Sequence, residues 1–94
     1  MTSYFVYILI SKIDKKLYVG CTSNLEERIK RHNKGFVFAT KRRRPLDLIY
    51  FEEFQDKDTA FNRERFLKSL WSSRFKKKLK TEYINKVARQ KFLD

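Results

Sequence analysis

Ninety-four residues suffice for one domain and leave little room for a second. Hydrophobic residues make up 41% of the chain, with nine Phe and five Tyr against two Gly and one Pro, which excludes a disordered or linker-rich polypeptide. Twenty-three Lys and Arg against eleven acidic residues give a net charge of +12, a field that attracts polyanions: nucleic acid first, an anionic membrane surface second.

Tyr4-Phe5-Val6-Tyr7-Ile8-Leu9-Ile10 is a continuous β-favouring run. Continuous rather than alternating hydrophobicity predicts a strand buried on both faces, at the centre of a sheet. Asp14-Lys15 turns the chain, and Leu17–Cys21 returns beside it as a second strand. Strand geometry puts Tyr7 on one face with Phe5 and Leu9, and Tyr18 on one face with Gly20. A glycine there leaves room beside the ring for close approach of a ligand. Ser23-Asn24-Leu25-Glu26 has the pattern of a capping box with Ser23 as the cap. It opens a helix to about Asn33, with Gly35 just past the end. Leu25, Ile29 and His32 form the inward stripe of this helix. Arg28 lies on its border, and Arg28 and His32, four apart, project from one face.

Phe36–Arg44 reads as a cation-rich loop closed by Pro45. Leu46–Phe54 is the third strand, with Leu48, Tyr50 and Glu52 on one face and Ile49, Phe51 and Glu53 on the other. A second helix is predicted from Thr59 to about Trp71, introduced by Asp56 and Asp58 at the end where the helix dipole favours acids. Its stripe is Ala60, Glu64, Leu67 and Trp71. Ser72-Ser73 punctuates, and a third, very basic helix runs to Lys80. Tyr83, Ile84, Val87, Ala88 and Phe92 keep helical spacing, so residues 81–94 are expected as a helical extension of a domain spanning residues 1–80. This order of elements is an α+β order, a small antiparallel sheet covered by helices.

The lone Cys21 excludes an internal disulfide and a paired-cysteine metal motif, and it fits a reducing compartment. Met1–Tyr4 lacks the basic start and cleavage site of a secretion signal, and the longest apolar run, Tyr4–Ile10, is far short of a membrane span. The expectation is a soluble cytoplasmic protein with no membrane partner.

Several side chains admit a chemical role beside a plain one. Glu64 interrupts an apolar stripe, and unpaired burial of a carboxylate is costly. It either pairs with Arg63, Arg65 or Lys68, or it holds a divalent ion such as Mg²⁺, which keeps most of its waters and shares phosphate oxygens with a substrate. His32, the only histidine, is a cap or core residue or a proton carrier near neutral pH. Arg28 is solvated, or a forked donor to phosphate. Tyr7 and Tyr18 supply core bulk, or orient a water. The runs Lys41-Arg42-Arg43-Arg44 and Arg74-Phe75-Lys76-Lys77-Lys78 are solvated faces, or contacts to nucleic-acid phosphates that place a strand without reading its sequence. The chain has no zinc-finger spacing, phosphate-binding glycine loop or Ser/His/Asp pattern.

Together these pieces resemble the GIY-YIG nuclease family, in particular its small stand-alone bacterial members, which are related to the N-terminal nuclease domain of the excision-repair incision subunit. Tyr4-Phe5-Val6-Tyr7-Ile8-Leu9 is similar to the first family motif, with Val6 at the first glycine, and Leu17-Tyr18-Val19-Gly20-Cys21-Thr22 is similar to the second. Asn24–Asn33 resembles the family helix with its arginine and histidine, and Arg43–Tyr50 resembles the loop-to-strand segment. Ala60–Leu70, containing Arg63-Glu64, is similar to the segment with the metal-binding glutamate. Phe36-Val37-Phe38-Ala39 is more apolar than the usual glycine-rich loop.

The resemblance implies a three-stranded antiparallel sheet flanked by three or more helices. It also implies a metal-dependent endonuclease hydrolysing phosphodiester bonds in DNA, structure-specific and tied to repair or recombination. Carried onto this chain, Glu64 would hold a single Mg²⁺ or Mn²⁺ and Arg28 would stabilise charge on the phosphate. Tyr18 or Tyr7 would position or deprotonate the attacking water, and His32 would assist proton transfer. Larger relatives add DNA-binding domains, so targeting here would rest on the charge of a monomer or weak dimer, or on a protein partner. The alternative is a basic module on the same scaffold that binds DNA or RNA without catalysis.

Overall fold

In a computed structural model, which describes Thr2–Leu93 with side chains as far as Gln90, three strands form one sheet. β1 (Tyr4–Ser11) lies between β2 (Leu17–Thr22) and β3 (Leu46–Phe54), antiparallel to both. The expected α+β fold and the central placing of β1 are both present. Val6 through Ile10 have no exposed surface, which is why this segment is apolar without alternation. Val6 and Ile8 face one layer, with Val19, Ala60 and Leu67. Tyr7 and Leu9 face the other, with Leu46, Tyr18, Leu25, Ile29 and Leu48.

β3 departs from simple alternation. Ile8 pairs with Tyr50 but Leu9 pairs with Leu48, so Ile49 is an extra, bulged residue. The bulge puts Leu48 beside Tyr7 and Leu9, while Ile49 and Tyr50 both pack with Val6 and Ile8. Leu48 therefore does not share a face with Tyr50 and Glu52, because the added residue shifts the side-chain period by one.

Helix α1 (Leu25–Asn33) is capped by Asn24 rather than Ser23. Asn24 has the extended backbone of a cap, and its side chain accepts from the Glu27 amide at 3.1 Å. At the other end Gly35 takes φ +85°, the left-handed turn that only glycine adopts without strain, and the Phe36 amide returns to the Arg31 carbonyl.

Helix α2 (Lys57–Lys68) is capped by Asp56, which accepts from the Thr59 amide at 2.8 Å. It ends three residues before Trp71, because Ser69 adopts an extended conformation and its hydroxyl closes on the Phe66 carbonyl at 2.6 Å. A 3₁₀ turn, Leu70–Ser72, follows. Trp71 is consequently 88% exposed and no part of the buried stripe. Helix α3 (Ser73–Leu93) passes Lys80 without interruption. Phe75 stands edge-on to Tyr50, and the Tyr83 hydroxyl donates to Asp47, so the helix leans on β3. Of the tail stripe, Tyr83 and Val87 are half-buried and Ile84 and Ala88 are exposed, while the Phe92 side chain lies outside the described residues. Among the described residues no helix is long and apolar enough to cross a membrane.

Candidate active site

The β1–β2 hairpin and α1 bring four of the five expected catalytic side chains together: Tyr7, Arg28 and His32 in one hydrogen-bonded group, and Tyr18 packed against its rings. Tyr7 projects from the central strand, fully buried. Its cross-strand partner is Gly20, and a Cβ at Gly20 would lie 2.5 Å from Tyr7 Cζ. The space left by the glycine is thus filled by the Tyr7 ring itself, not kept open for a ligand as the sequence led us to expect. Tyr18, on the outer strand, lies against both Tyr7 and His32, with ring centroids 6.3 and 5.0 Å away.

His32 is completely buried at the end of α1 and makes a hydrogen bond from each ring nitrogen: Nε2 to the Tyr7 hydroxyl at 2.8 Å and Nδ1 to Thr40 Oγ1 at 2.8 Å. Arg28 Nε donates to the Tyr7 oxygen at 3.4 Å. Thr40 in turn reaches the Val37 carbonyl through a long 3.5 Å contact. One proton assignment satisfies every group: Arg28 to Tyr7, Tyr7 to Nε2, and Nδ1–H to Thr40, which donates to Val37.

The electrostatics hold that assignment. Burial first, and the neighbouring Arg28 charge second, push His32 down from 6.5 to about 4, so it is neutral at pH 7. Burial, only partly opposed by the hydrogen bond from Arg28, pushes Tyr7 up to about 12. Both shifts keep the proton on the phenol. The Arg28 guanidinium is held in its charged form chiefly by the Tyr7 bond.

A pH dependence follows, with its sign fixed by linkage. Between 6.5 and about 4 the unfolded chain protonates its histidine and the native state does not, so stability falls as pH drops through that window. The loss from His32 is expected to reach about 3 kcal/mol at the acid end. Urea unfolding at stepped pH measures it, and His32→Gln should flatten that part of the profile.

Gly20→Ala tests the packing of the same group. The added methyl would force the Tyr7 phenol off His32, with an expected cost of about 1–3 kcal/mol in urea unfolding, typical of overpacking. An unchanged unfolding midpoint would show that the ring yields freely.

The fifth residue, Glu64, comes from α2, which packs on the Val6 and Ile8 face of the sheet. Its side chain is 19% exposed, and its Oε2 lies 3.2 Å from Lys68 Nζ one turn on. Of the three pairing partners expected, Lys68 is the one it uses. Arg63 is taken by Glu52, through Nε at 2.7 Å and Nη2 at 3.0 Å. Glu64 is near enough to the hairpin for its charge to add to the upward shifts of Cys21 and Tyr7, each caused first by burial. Among the described residues, no three His, Cys, Asp or Glu side chains converge as metal ligands. Any ion at Glu64 would therefore be held by one carboxylate, with water and substrate completing its shell.

The two basic runs divide. Arg43 is a brace: its guanidinium meets Asp14 at 3.3 Å and its carbonyl accepts from the Ser11 hydroxyl at 2.6 Å. Arg44 donates through Nε to the Lys41 carbonyl at 2.8 Å and lies against Gly35. Lys41 and Arg42 are exposed, and with Arg44, Asn33 and Pro45 they line an open cleft at the end of α1. On α3, Arg74, Lys77 and Lys78 are exposed, whereas Lys76 is half-buried with Nζ 3.4 Å from the Ser69 carbonyl.

Two residues escaped the sequence reading. Thr40 holds the second nitrogen of His32, and Asn33 fastens α1 to β3 by accepting from the Leu46 amide at 2.8 Å and donating to its carbonyl at 3.1 Å. A signal for Thr40 existed: a buried histidine needs partners on both nitrogens, and Thr40 is the only hydroxyl residue between Phe36 and Arg44.

Comparison with known proteins identifies the family. The family model described as the GIY-YIG catalytic domain matches residues 3–86. The chain is 49% identical over 67 residues to UPF0213 protein CPE1444 of Clostridium perfringens, covering 70% of this chain and 71% of that one. It is 37% identical over 90 residues to UPF0213 protein RBAM_000440 of Bacillus velezensis, covering 95% and 85%. The solution NMR structure of the UPF0213 protein BH0048 from Bacillus halodurans superposes with a TM-score of 0.52 at 36% identity, over 82% of this chain and 81% of that one. The chain belongs to the GIY-YIG nuclease family.

Proposed function

We propose that the chain is a divalent-metal-dependent endonuclease that hydrolyses phosphodiester bonds in DNA, on branched or partly unpaired structures of the kind met in repair or recombination. The observation that carries this reading is the buried chain from Thr40 through His32 and Tyr7 to Arg28. Arg28 is held by Nε, so its terminal nitrogens are the ones that reach a phosphate, with the fork of donors that phosphate oxygens match.

Glu64 is the residue that would hold Mg²⁺ or Mn²⁺. A single half-buried carboxylate suits an ion that keeps most of its waters, and its present partner Lys68 is 54% exposed and easily displaced. The ion supplies Lewis-acid polarisation of the phosphate and a more acidic bound water. Tyr18, half-buried at the rim, orients the attacking water. Tyr7 is fully buried with its proton aimed at His32, so its role is to fix Arg28. His32, neutral, accepts from Tyr7 and so keeps the phenol, and through it Arg28, in place. Exposed Lys41, Arg42, Arg74, Lys77 and Lys78 contact the backbone of the strand. We further place the protein in the reducing cytoplasm, as a monomer or weak dimer whose targeting falls to its charge or to a protein partner.

A second reading, a basic binding module without catalysis, draws on the Glu64–Lys68 pair, which would then be only a helix-surface ion pair. Cleavage of labelled single-stranded, duplex, flap and branched DNA, with matched RNA, separates the two. Metal-dependent cutting that fails in EDTA is expected; tight, salt-sensitive binding with no cutting on any substrate would favour the binding module.

A further inference from the structure

Leu70 and Trp71, on the 3₁₀ turn between α2 and α3, are 89% and 88% exposed. A tryptophan is highly buried on average, so a bare one is informative. Three other exposed rings carry their own cations: Phe36 lies under Arg31 at 5.8 Å, Phe61 under Lys57 at 5.4 Å and Phe66 under Arg63 at 5.2 Å. Among the described residues no such cation covers Trp71. It is instead flanked by exposed cations on both helices, Lys68 before it and Arg74, Lys77 and Lys78 after it.

The turn is also rigidly built. Ser72 is 1% exposed, and its hydroxyl closes on the Leu67 and Ser69 carbonyls at 2.9 and 3.0 Å. Trp71 is therefore presented on a fixed support and loses little freedom on contact. Trp71 follows Glu64 by seven positions, on the turn that ends the same helix.

We propose that Trp71 is a stacking platform for an unpaired base of single-stranded DNA, with the flanking cations on that strand's phosphates. An aromatic face within a basic surface is the combination that holds single strands, and stacking requires a base free of its duplex partner. A protein partner fits less well: Leu70 is the one bare aliphatic neighbour, while the exposed residues that flank the turn on both helices include Lys68, Arg74, Lys77 and Lys78. Phe38 is equally bare at 91% exposed, but it lies two residues from Thr40, where substitution would disturb the site itself. As a statement about substrate class the inference rests on the nuclease reading; as a binding statement it does not.

Trp71 is the only tryptophan in the chain, so intrinsic fluorescence reads this ring alone. The unaltered protein is titrated in EDTA with an oligothymidylate and with a closed hairpin duplex. Expected are strong quenching by the oligothymidylate, little by the duplex, and binding of the oligothymidylate roughly 5- to 150-fold weaker in Trp71→Ala, the loss of one base–aromatic stack. Trp71→Phe should recover most of that loss, and both variants should melt with the parent because the site is exposed. Binding without quenching, equal quenching by the closed duplex, or an alanine variant within about twofold of the parent overturns the proposal and leaves the nuclease reading standing. Full quenching in a protein that cuts no substrate keeps the platform and overturns the nuclease reading. Failure to bind either DNA overturns the proposal.

Discussion

Glu64→Gln is expected to lower metal-dependent cleavage roughly a thousandfold, the effect of losing several kcal/mol of transition-state stabilisation. The substitution keeps the shape of the side chain and removes the charge that would hold the ion. Its structural cost is small. The pair with Lys68 spans one turn of α2 and has a partner that is 54% exposed, so its loss costs about 0.3–0.5 kcal/mol. Single-turnover cleavage read beside a thermal melt separates the two effects. A variant that cuts at the parental rate would remove Glu64 from the chemistry and leave it as an ordinary surface partner.

Arg28→Lys is expected to slow cleavage by about 10²–10³-fold, the size of effect seen when one transition-state donor is removed. Lysine keeps the positive charge but has no fork and cannot reproduce the Nε contact to Tyr7, now 3.4 Å long. Tyr7 keeps its bond to His32, so the buried phenol is not stranded and the fold should tolerate the change. Affinity for DNA measured in EDTA should change little, because the charge remains. A fall in affinity equal to the fall in rate would show that Arg28 serves ground-state binding instead.

What the sequence made legible, and what it hid, follows from how local each feature is. The unbroken apolar run of β1 could only be a doubly covered strand, and β3 keeps its expected ends at Leu46 and Phe54. The bulge at Ile49 was invisible, because Leu48, Ile49, Tyr50 and Phe51 are all apolar or aromatic and any face assignment satisfies them. The cap of α1 was misread by one residue, since Ser23 and Asn24 both suit the position and only the backbone angles decide. Trp71 fits the helical spacing of Ala60, Glu64 and Leu67, but the hydroxyls of Ser69 and Ser72 end the helix first.

The candidate site was legible as a set of residues and not as an arrangement. Spacing put Arg28 and His32 on one face of a helix. It could not reveal that His32 bridges Tyr7 to Thr40, or that Gly20 is small to admit the Tyr7 ring. Those contacts join β1, β2, α1 and the following loop. No local pattern carries them. Arg43 gives the converse case: within a run of four cations nothing marked it as the one engaged by Asp14 and Ser11.

The most direct single measurement is single-turnover cleavage of labelled branched and single-stranded DNA by the unaltered protein, stripped of divalent ions and then titrated with Mg²⁺. Expected are no cutting in EDTA and a rate that rises and saturates with the ion. Cutting at full rate without any divalent ion, or none at saturating ion while the DNA remains bound, would contradict a metal-dependent phosphodiesterase site built from Glu64, Arg28 and the tyrosine pair.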